Sequence, residues 1–280
     1  MSFFTLTRTA ILSESDSISL HEYNDDLHIL TITRATQKNA LSEKSIIEFR
    51  KALSLSRKDS PRRKSRMLII QSLGNTFCAG ADLHEMIGYA EKPRKNDLAA
   101  AQRLGELFYE IAAYPSPVIT YVQGAALGGG VGIVAASDFV IAEEDACFGT
   151  PEVQLGIVPA LISPYLTRKL STNRAAIMML TGTRISAHDA LASELVSEVV
   201  SRNAREGSVI PSLLTALCNA APGALRTSKK LILARTPLPS PRVRKECAEI
   251  LTTTRRGSEA QAGGSAYFSK STPPWRRTPQ

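Results

Sequence analysis

The chain has 280 residues, with 34 Lys/Arg against 26 Asp/Glu for a formal charge of +8, and it is 43% hydrophobic and 21% charged. This is a globular composition, too apolar for a disordered chain, and 17 Gly with 15 Pro excludes collagen-like or linker-dominated architecture. Four scattered cysteines (Cys78, Cys147, Cys218, Cys247) form no C-x-x-C and no disulfide framework, which points to a reducing compartment, with two of them read as small buried apolar residues.

The N-terminus has no basic region followed by a long apolar run, so it does not read as a secretory signal. Residues 111–137 carry no charge over 27 positions. They hold Pro115, Pro117, Gln123 and five glycines, and acids flank them, which argues against a membrane span. The expectation is a cytoplasmic protein. Positive charge concentrates late: residues 226–280 carry twelve Lys/Arg against three Glu. Either a polyanionic partner or a solvated helical face accounts for that excess.

In chain order, Asp26–Arg34 (DLHILTITR) reads as a strand paired with Ser17–Tyr23. Ser42 opens a helix carrying Ile46, Ile47, Phe49, Leu53 and Leu55. A loop at Pro61–Arg66 leads to a buried strand, Met67–Gln71, and a turn at Leu73–Asn75. Asp97–Ala113 has helical periodicity, and Pro117 starts a strand that ends at Gly124. A Gly/Ala-rich helix is expected over Gly129–Ser137 and a strand over Asp138–Ala142. From Pro151 the pattern predicts helices at 151–170, 173–181, 186–193, 204–220, 222–235 and 239–256, interrupted at Glu194–Val200, with Ser265–Gln280 loose at its end. Strands alternating with helices, then a run of helices, indicate an α/β fold with a helical C-terminal part. There is no internal repeat.

Three segments carry chemistry. In FCAGADLHEM (Phe77–Met86), small residues make a tight passage from strand to helix, and Asp82 can cap the helix at Leu83. Backbone N–H groups there are donors for an oxyanion, or the segment is an ordinary connection. In VQGAALGGGVGIVAAS (Val122–Ser137), Gly128, Gly129 and Gly130 let backbone approach a ligand at a helix N-terminus, or serve close helix packing. Its G-x-G-x-x-A match lacks the βαβ context of a dinucleotide site, and no G-K-[ST] follows to make a P-loop. In ACFGTPEVQLGIVP (Ala146–Pro159), Pro151 suits the first helical position and Glu152 falls in the first turn among apolar neighbours. Glu152 is there as a general acid/base or as a complement to the helix dipole.

Together these segments, with TQKNALS, LTGTRISAHDALASELVSEVV (Leu180–Val200) and RRGSEAQAGGSAYFSKSTPPW (Arg255–Trp275), resemble the crotonase superfamily (enoyl-CoA hydratase/isomerase) over nearly the whole chain. LGIVPALISPYLTRKL further resembles hydratases acting on methylglutaconyl- or isohexenylglutaconyl-CoA. The resemblance implies a spiral of ββα units over residues 1–200, forming an acyl-CoA-binding core, and a helical 201–280 region that builds a homotrimer or a dimer of trimers. It implies an oxyanion hole from the amides of Ala81 and Gly129, with Glu152 as acid/base. Coenzyme A contacts fall on Thr36, Lys38, Ala40, Ala79, Ala81, Asp82 and Leu83, and part of the basic C-terminal region holds the 3′-phosphate. No metal and no permanently bound cofactor is implied, the substrate being carried as a coenzyme A thioester.

The sequence departs from the two-carboxylate pattern of the family at Gly132, where a glutamate is expected. Glu85 or His84 is a candidate second group. The leading reading is hydration of a 2-enoyl-CoA; isomerisation of a 3-enoyl-CoA by a single Glu is the alternative. A non-catalytic RNA-binding or scaffold role of the C-terminal region is the second alternative, although no RNA-binding motif is present. Gly88–Lys95 and Ala160–Tyr165 are the expected pocket walls.

Overall fold

A computed structural model describes residues 8–24, 27–57, 65–202 and 211–276. Most of the expected Pro61–Arg66 loop and the first half of the expected 204–220 helix lie outside the described residues. The chain opens with an antiparallel meander, β1 (Arg8–Glu14), β2 (Ile18–Tyr23) and β3 (Leu27–Ile32). The first strand carries little alternation, with Ile11 exposed, and was not legible in the sequence. Ser42 caps α1 (Glu43–Ser56) by accepting from Ser45 N, a contact worth about 1 kcal/mol. Its buried face is Ile46, Phe49 and Leu53, while Ile47 faces outward.

There follow β4 (Met67–Ser72), α2 (Leu83–Gly88), α3 (Arg94–Ala112), β5 (Val118–Val122), β6 (Ala125–Leu127), α4 (Gly129–Ala136), β7 (Phe139–Glu143) and β8 (Cys147–Gly149). A 3-10 turn (Pro151–Leu155) leads to α5 (Ser163–Lys169), α6 (Thr172–Thr181), β9 (Arg184–Ser186), α7 (Ala187–Ala192) and β10 (Glu198–Val200). Four helices close the chain: α8 (Ser212–Asn219), α9 (Pro222–Arg235), α10 (Pro241–Arg255) and α11 (Ser258–Phe268).

The main sheet has the order β1-β2-β3-β4-β5-β7-β10, with β3 onward parallel. Its register aligns Leu30, Ile70, Thr120 and Val140 across four strands. Period-two alternation sends Leu30, Leu68 and Ile70 into the larger core and Ile29, Met67 and Ile69 into a smaller one. β6, β8 and β9 form a second, three-stranded sheet. The fold is α/β, as expected.

Two expectations need correction. Residues 151–170 are not one helix: Gly156 takes a left-handed conformation (φ 71°) that ends the 3-10 turn, and α5 begins only at Ser163. Beyond the last helix expected at 239–256, residues 258–268 form a further helix, which takes in the start of the Ser265–Gln280 stretch expected to be loose at its end. The uncharged stretch at 111–137 is divided among α3, β5, β6 and α4, and no helix among the described residues is long and apolar enough to cross a membrane.

The late basic residues turn inward more than their sequence position suggests. Lys229 pairs with Asp138 at 2.5 Å, Arg244 with Glu106 at 2.8 Å, and Arg255 with Asp97. Arg226 and Arg256 donate to main-chain carbonyls of Ser65 and Tyr89. Much of this charge ties the C-terminal helices to the sheet domain, with α10 lying along α3.

Candidate active site

Two main-chain turns meet at the centre of the molecule. The first runs from Cys78 to Ala81 and is held by short parallel bridges on both sides. Cys78 N donates to Ala125 O and Ala79 N to Lys38 O, while Leu41 N donates to Gly80 O and Asp82 N to Leu41 O. These bonds use the groups flanking Ala81 N and leave that amide without a hydrogen bond. The second turn is Gly128–Gly129. Gly128 N donates to Gly149 O, and its φ of 49° swings the chain into α4, so that Gly129 N stands in the first helical turn with no intrahelical acceptor. A methyl group built on Gly129 would lie 3.8 Å from Ala81 N, and one on Gly80 would lie 3.6 Å from Gly129 N. The two unbonded amides are therefore neighbours.

Glu152 comes to the same place from the 3-10 turn, where Pro151 fixes the first position. Its Oε1 would lie 3.0 Å from a methyl group on Gly128, so the carboxyl rests against the second turn. Oε2 is buried with no hydrogen-bond partner. Loss of hydration disfavours the anion and pushes the Glu152 carboxyl up to about 7. A group balanced near neutrality can both take and give a proton.

These groups line a cavity of about 420 Å³. Lys38, Ala79, Ala81 and Leu83 of the expected coenzyme A contacts border it, together with Gly129 and Glu152. Asp82 instead caps α2 through His84 N and Glu85 N and lines a smaller adjoining cavity. Thr36 lies in an exposed 3-10 turn, and the Ala40 carbonyl accepts from Arg34; neither borders the main cavity. Ala160, Leu161 and Ile162 form a wall as expected, but nothing in 88–95 does; Leu83 and Met86 of α2 take that place.

Neither candidate second acid reaches the cavity. Glu85 Oε2 accepts from Glu43 N at 2.7 Å, and exposed His84 stacks on Phe268 with ring centroids 4.5 Å apart. Among the described residues Glu152 is the one carboxylate on the cavity wall. The Gly132 position is also physically closed. A Cβ there would come within 2.6 Å of both Ile162 Cγ2 and Phe108 Cζ. The space that a second glutamate would need is filled by an aromatic ring and an isoleucine.

The turn carrying Glu152 is backed by α11. A methyl group on Gly263 would fall 2.3 Å from Leu155 O, and one on Gly156 would fall 2.5 Å from Glu259 O. Two chain segments touch there backbone to backbone, which only glycine permits. No local pattern marks this contact, and Arg255, buried in the cavity wall, is equally unmarked among the other late basic residues. Cys78, beside the first turn, is buried and its thiol is pushed up to about 12, so it is inert. No group of three or more His, Cys, Asp or Glu side chains among the described residues is arranged to hold a metal ion.

Two unbonded amides at glycine-rich turns, with a buried carboxyl beside them, can between them polarise a carbonyl oxygen and move a proton. The family model for enoyl-CoA hydratase/isomerase matches residues 22–278, and the chain belongs to that family. It is 30% identical over 248 residues to the mouse protein "Enoyl-CoA delta isomerase 3, peroxisomal", covering 88% of this chain and 77% of that one. It is 34% identical over 216 residues to the Bos taurus protein "Enoyl-CoA hydratase domain-containing protein 2, mitochondrial", covering 75% and 70%. A crystal structure of an enoyl-CoA hydratase from Mycobacterium avium superposes with a TM-score of 0.80 at 27% identity, over 94% of this chain and 100% of that one. The fold is thus the crotonase fold.

Proposed function

We propose that the protein is a 2-enoyl-CoA hydratase in which one carboxyl, Glu152, performs both proton transfers. The observation that carries this reading is the Glu152 carboxyl itself, held near neutrality by burial beside the Ala81 and Gly129 amides. In this scheme the thioester carbonyl oxygen accepts from both N–H groups. Ionised Glu152 takes a proton from water as the water oxygen bonds to C3, and the C2–C3 π electrons pass to the carbonyl oxygen. The protonated carboxyl then delivers that proton to C2 as the enolate collapses, which restores the carboxylate and completes the addition of one water. Preorganised donors of this kind are worth about 3–4 kcal/mol each in other enzymes. The acyl group in this reading is of the branched glutaconyl type, on the likeness of residues 155–170. Exposed Leu231 and Ile232 on α9 provide apolar surface for the trimeric assembly that the resemblance implies.

A second reading, 3-enoyl-CoA to 2-enoyl-CoA isomerisation, is favoured by the filled Gly132 position. One acid suffices to carry a proton from C2 to C4. Crotonyl-CoA and a 3-enoyl-CoA, assayed side by side, separate the two. Formation of 3-hydroxyacyl-CoA, lost in Glu152→Gln, supports hydration. Conjugated product without hydroxyacyl-CoA supports isomerisation and refutes hydration. Turnover of neither, with steeply salt-dependent RNA binding, would turn the assignment to the nucleic-acid alternative.

A further inference from the structure

The amides of Ala81 and Gly129 share one neighbour, Leu41. The peptide unit that carries Ala81 N–H also carries Gly80 C=O, and a planar trans peptide points those two groups in opposite directions. Leu41 N donates to Gly80 O at 2.8 Å, so that bond aims the Ala81 N–H the other way. Leu41 O accepts from Asp82 N at 3.0 Å. The Leu41 side chain lies against the second turn, its Cδ1 3.0 Å from where a methyl group on Gly129 would be. Both bonds to the first turn belong to one residue, so the Ala81 peptide can still tilt about Leu41 unless a further tie holds the two segments together. We propose that Glu85 is that tie, a positioning residue that sets the two amides through Leu41, a reading that rests on the acyl-CoA function given above.

Glu85 lies one turn beyond Ala81, in the first turn of α2, whose start is set by the Asp82 cap. Its Oε2 accepts from Glu43 N at 2.7 Å, the length of a charge-assisted bond. Glu43 is the first residue of α1, so its N–H is one of the donors for which a helix has no acceptor of its own. The carboxylate answers both that donor and the positive end of a 14-residue helix. Together with the two Leu41 bonds it closes a ring. Residues 41–43 meet residues 80–85 at three points, and the third lies two residues away from the one that makes the other two. Arg34 braces the opposite flank by donating to Ala40 O, with Asp82 Oδ2 3.7 Å away. Loss of Glu85 therefore tilts the Ala81 peptide without releasing it.

The test reads carbonyl polarisation directly. The probe is 2,4-hexadienoyl-CoA, whose absorption moves to longer wavelength as hydrogen bonds polarise its carbonyl. It is titrated into the full-length Glu152→Gln protein, so that turnover does not intrude, and a red shift is expected on binding. Glu85→Ala in that background should lose most of the shift while Kd rises by less than about tenfold. Glu85→Gln keeps an accepting oxygen at the same reach without the charge, and should restore the shift. A merely structural role would show in unfolding curves and leave the shift alone. With Glu152 intact, Glu85→Ala should lower kcat about 10–100-fold with KM changed less than about threefold, the scale of a small misplacement. A second pair of variants removes the donor instead. Glu43→Pro deletes the N–H at a helix position that suits proline, after Ser42, which is already extended at φ −83° and ψ 163°; Glu43→Ala controls for the lost side chain. The shift should be smaller in Glu43→Pro than in Glu43→Ala. A full shift in folded Glu85→Ala, or no recovery in Glu85→Gln, overturns the role of Glu85 and leaves the hydratase reading standing. If Glu85→Ala does not fold, equal shifts in the Glu43 pair overturn it in the same way. Failure of the probe to bind, or binding without any shift in the Glu152→Gln parent, refutes the hydratase reading as well.

Discussion

Replacing Gly132 by alanine probes the filled position against Phe108 and Ile162. The new Cβ would lie 2.6 Å from Phe108 Cζ and Ile162 Cγ2, about 1 Å inside ordinary contact distance. Phe108 is fully buried and stacks edge-on against Tyr165, so it has little room to retreat. Overpacking of this kind costs about 1–3 kcal/mol, against a gain of about 1 kcal/mol from replacing glycine inside a helix. The net expectation is a loss of up to about 2 kcal/mol, read as a lower midpoint in urea unfolding at unchanged slope. Because Phe108 and Ile162 both border the cavity, kcat/KM should also fall. Trimming Phe108 to leucine removes the clashing ring atoms, so Gly132→Ala should cost less in a Phe108→Leu background, with a coupling of about 0.5–3 kcal/mol. If Gly132→Ala instead raises stability by the full helical gain and shows no coupling, the position is not filled as described, and the argument for a single acid loses its structural ground.

Glu152→Gln is expected to lower kcat/KM about 10²–10⁴-fold, and the wild-type rate should fall as pH drops below about 7, as the base becomes protonated. The same shift destabilises the fold. Burial raises the folded pKa above its unfolded value, so the native state holds the proton more tightly and stability declines as pH rises from about 4.5 to about 7, by at most about 3 kcal/mol. Unfolding curves should therefore show Glu152→Gln stabilising the protein at pH 8 more than at pH 5; an effect independent of pH would refute the cause given for the shift. Gly128→Ala places a methyl group at φ 49°, 3.0 Å from Glu152 Oε1, and steady-state kinetics should show kcat falling more than KM rises. Ser186→Ala removes the capping box of α7 at a residue that does not itself border the cavity, and should cost about 0.5–2 kcal/mol in thermal or urea unfolding with kcat unchanged.

The parts of the fold that could be read ahead of the structure are those whose cause is local. Ser42 and Asp82 announce helix starts because a cap acts over three residues. The buried strands β3 to β5 announce themselves by apolar content, and α4 by the glycine turn that precedes it. The three-residue strands β6, β8 and β9 carry no period of their own and exist only because they pair with one another. Residues 151–170 look helical until the left-handed Gly156 is taken into account, and α11 contains Gly263 and Gly264, which argue locally against a helix. At the site, the turns at Ala81 and Gly129 and the acid at Glu152 were legible because backbone donors and a lone carboxyl leave marks in residue type. The filling of the Gly132 space by Phe108, and the burial of Arg255, were not. Both depend on helices brought together from distant parts of the chain.

The backbone contact between Gly263 and the Leu155 carbonyl makes the last described helix a buttress for the turn that carries Glu152. Glu152 sits on a single short turn, and what keeps that turn from yielding is supplied more than a hundred residues later in the chain. A polypeptide still emerging in order would hold both amides and the carboxyl well before it held the means to keep them in register. Order at the carboxyl in such a molecule waits for that remote helix, and a change of one methyl group in it would reach Glu152 without touching it.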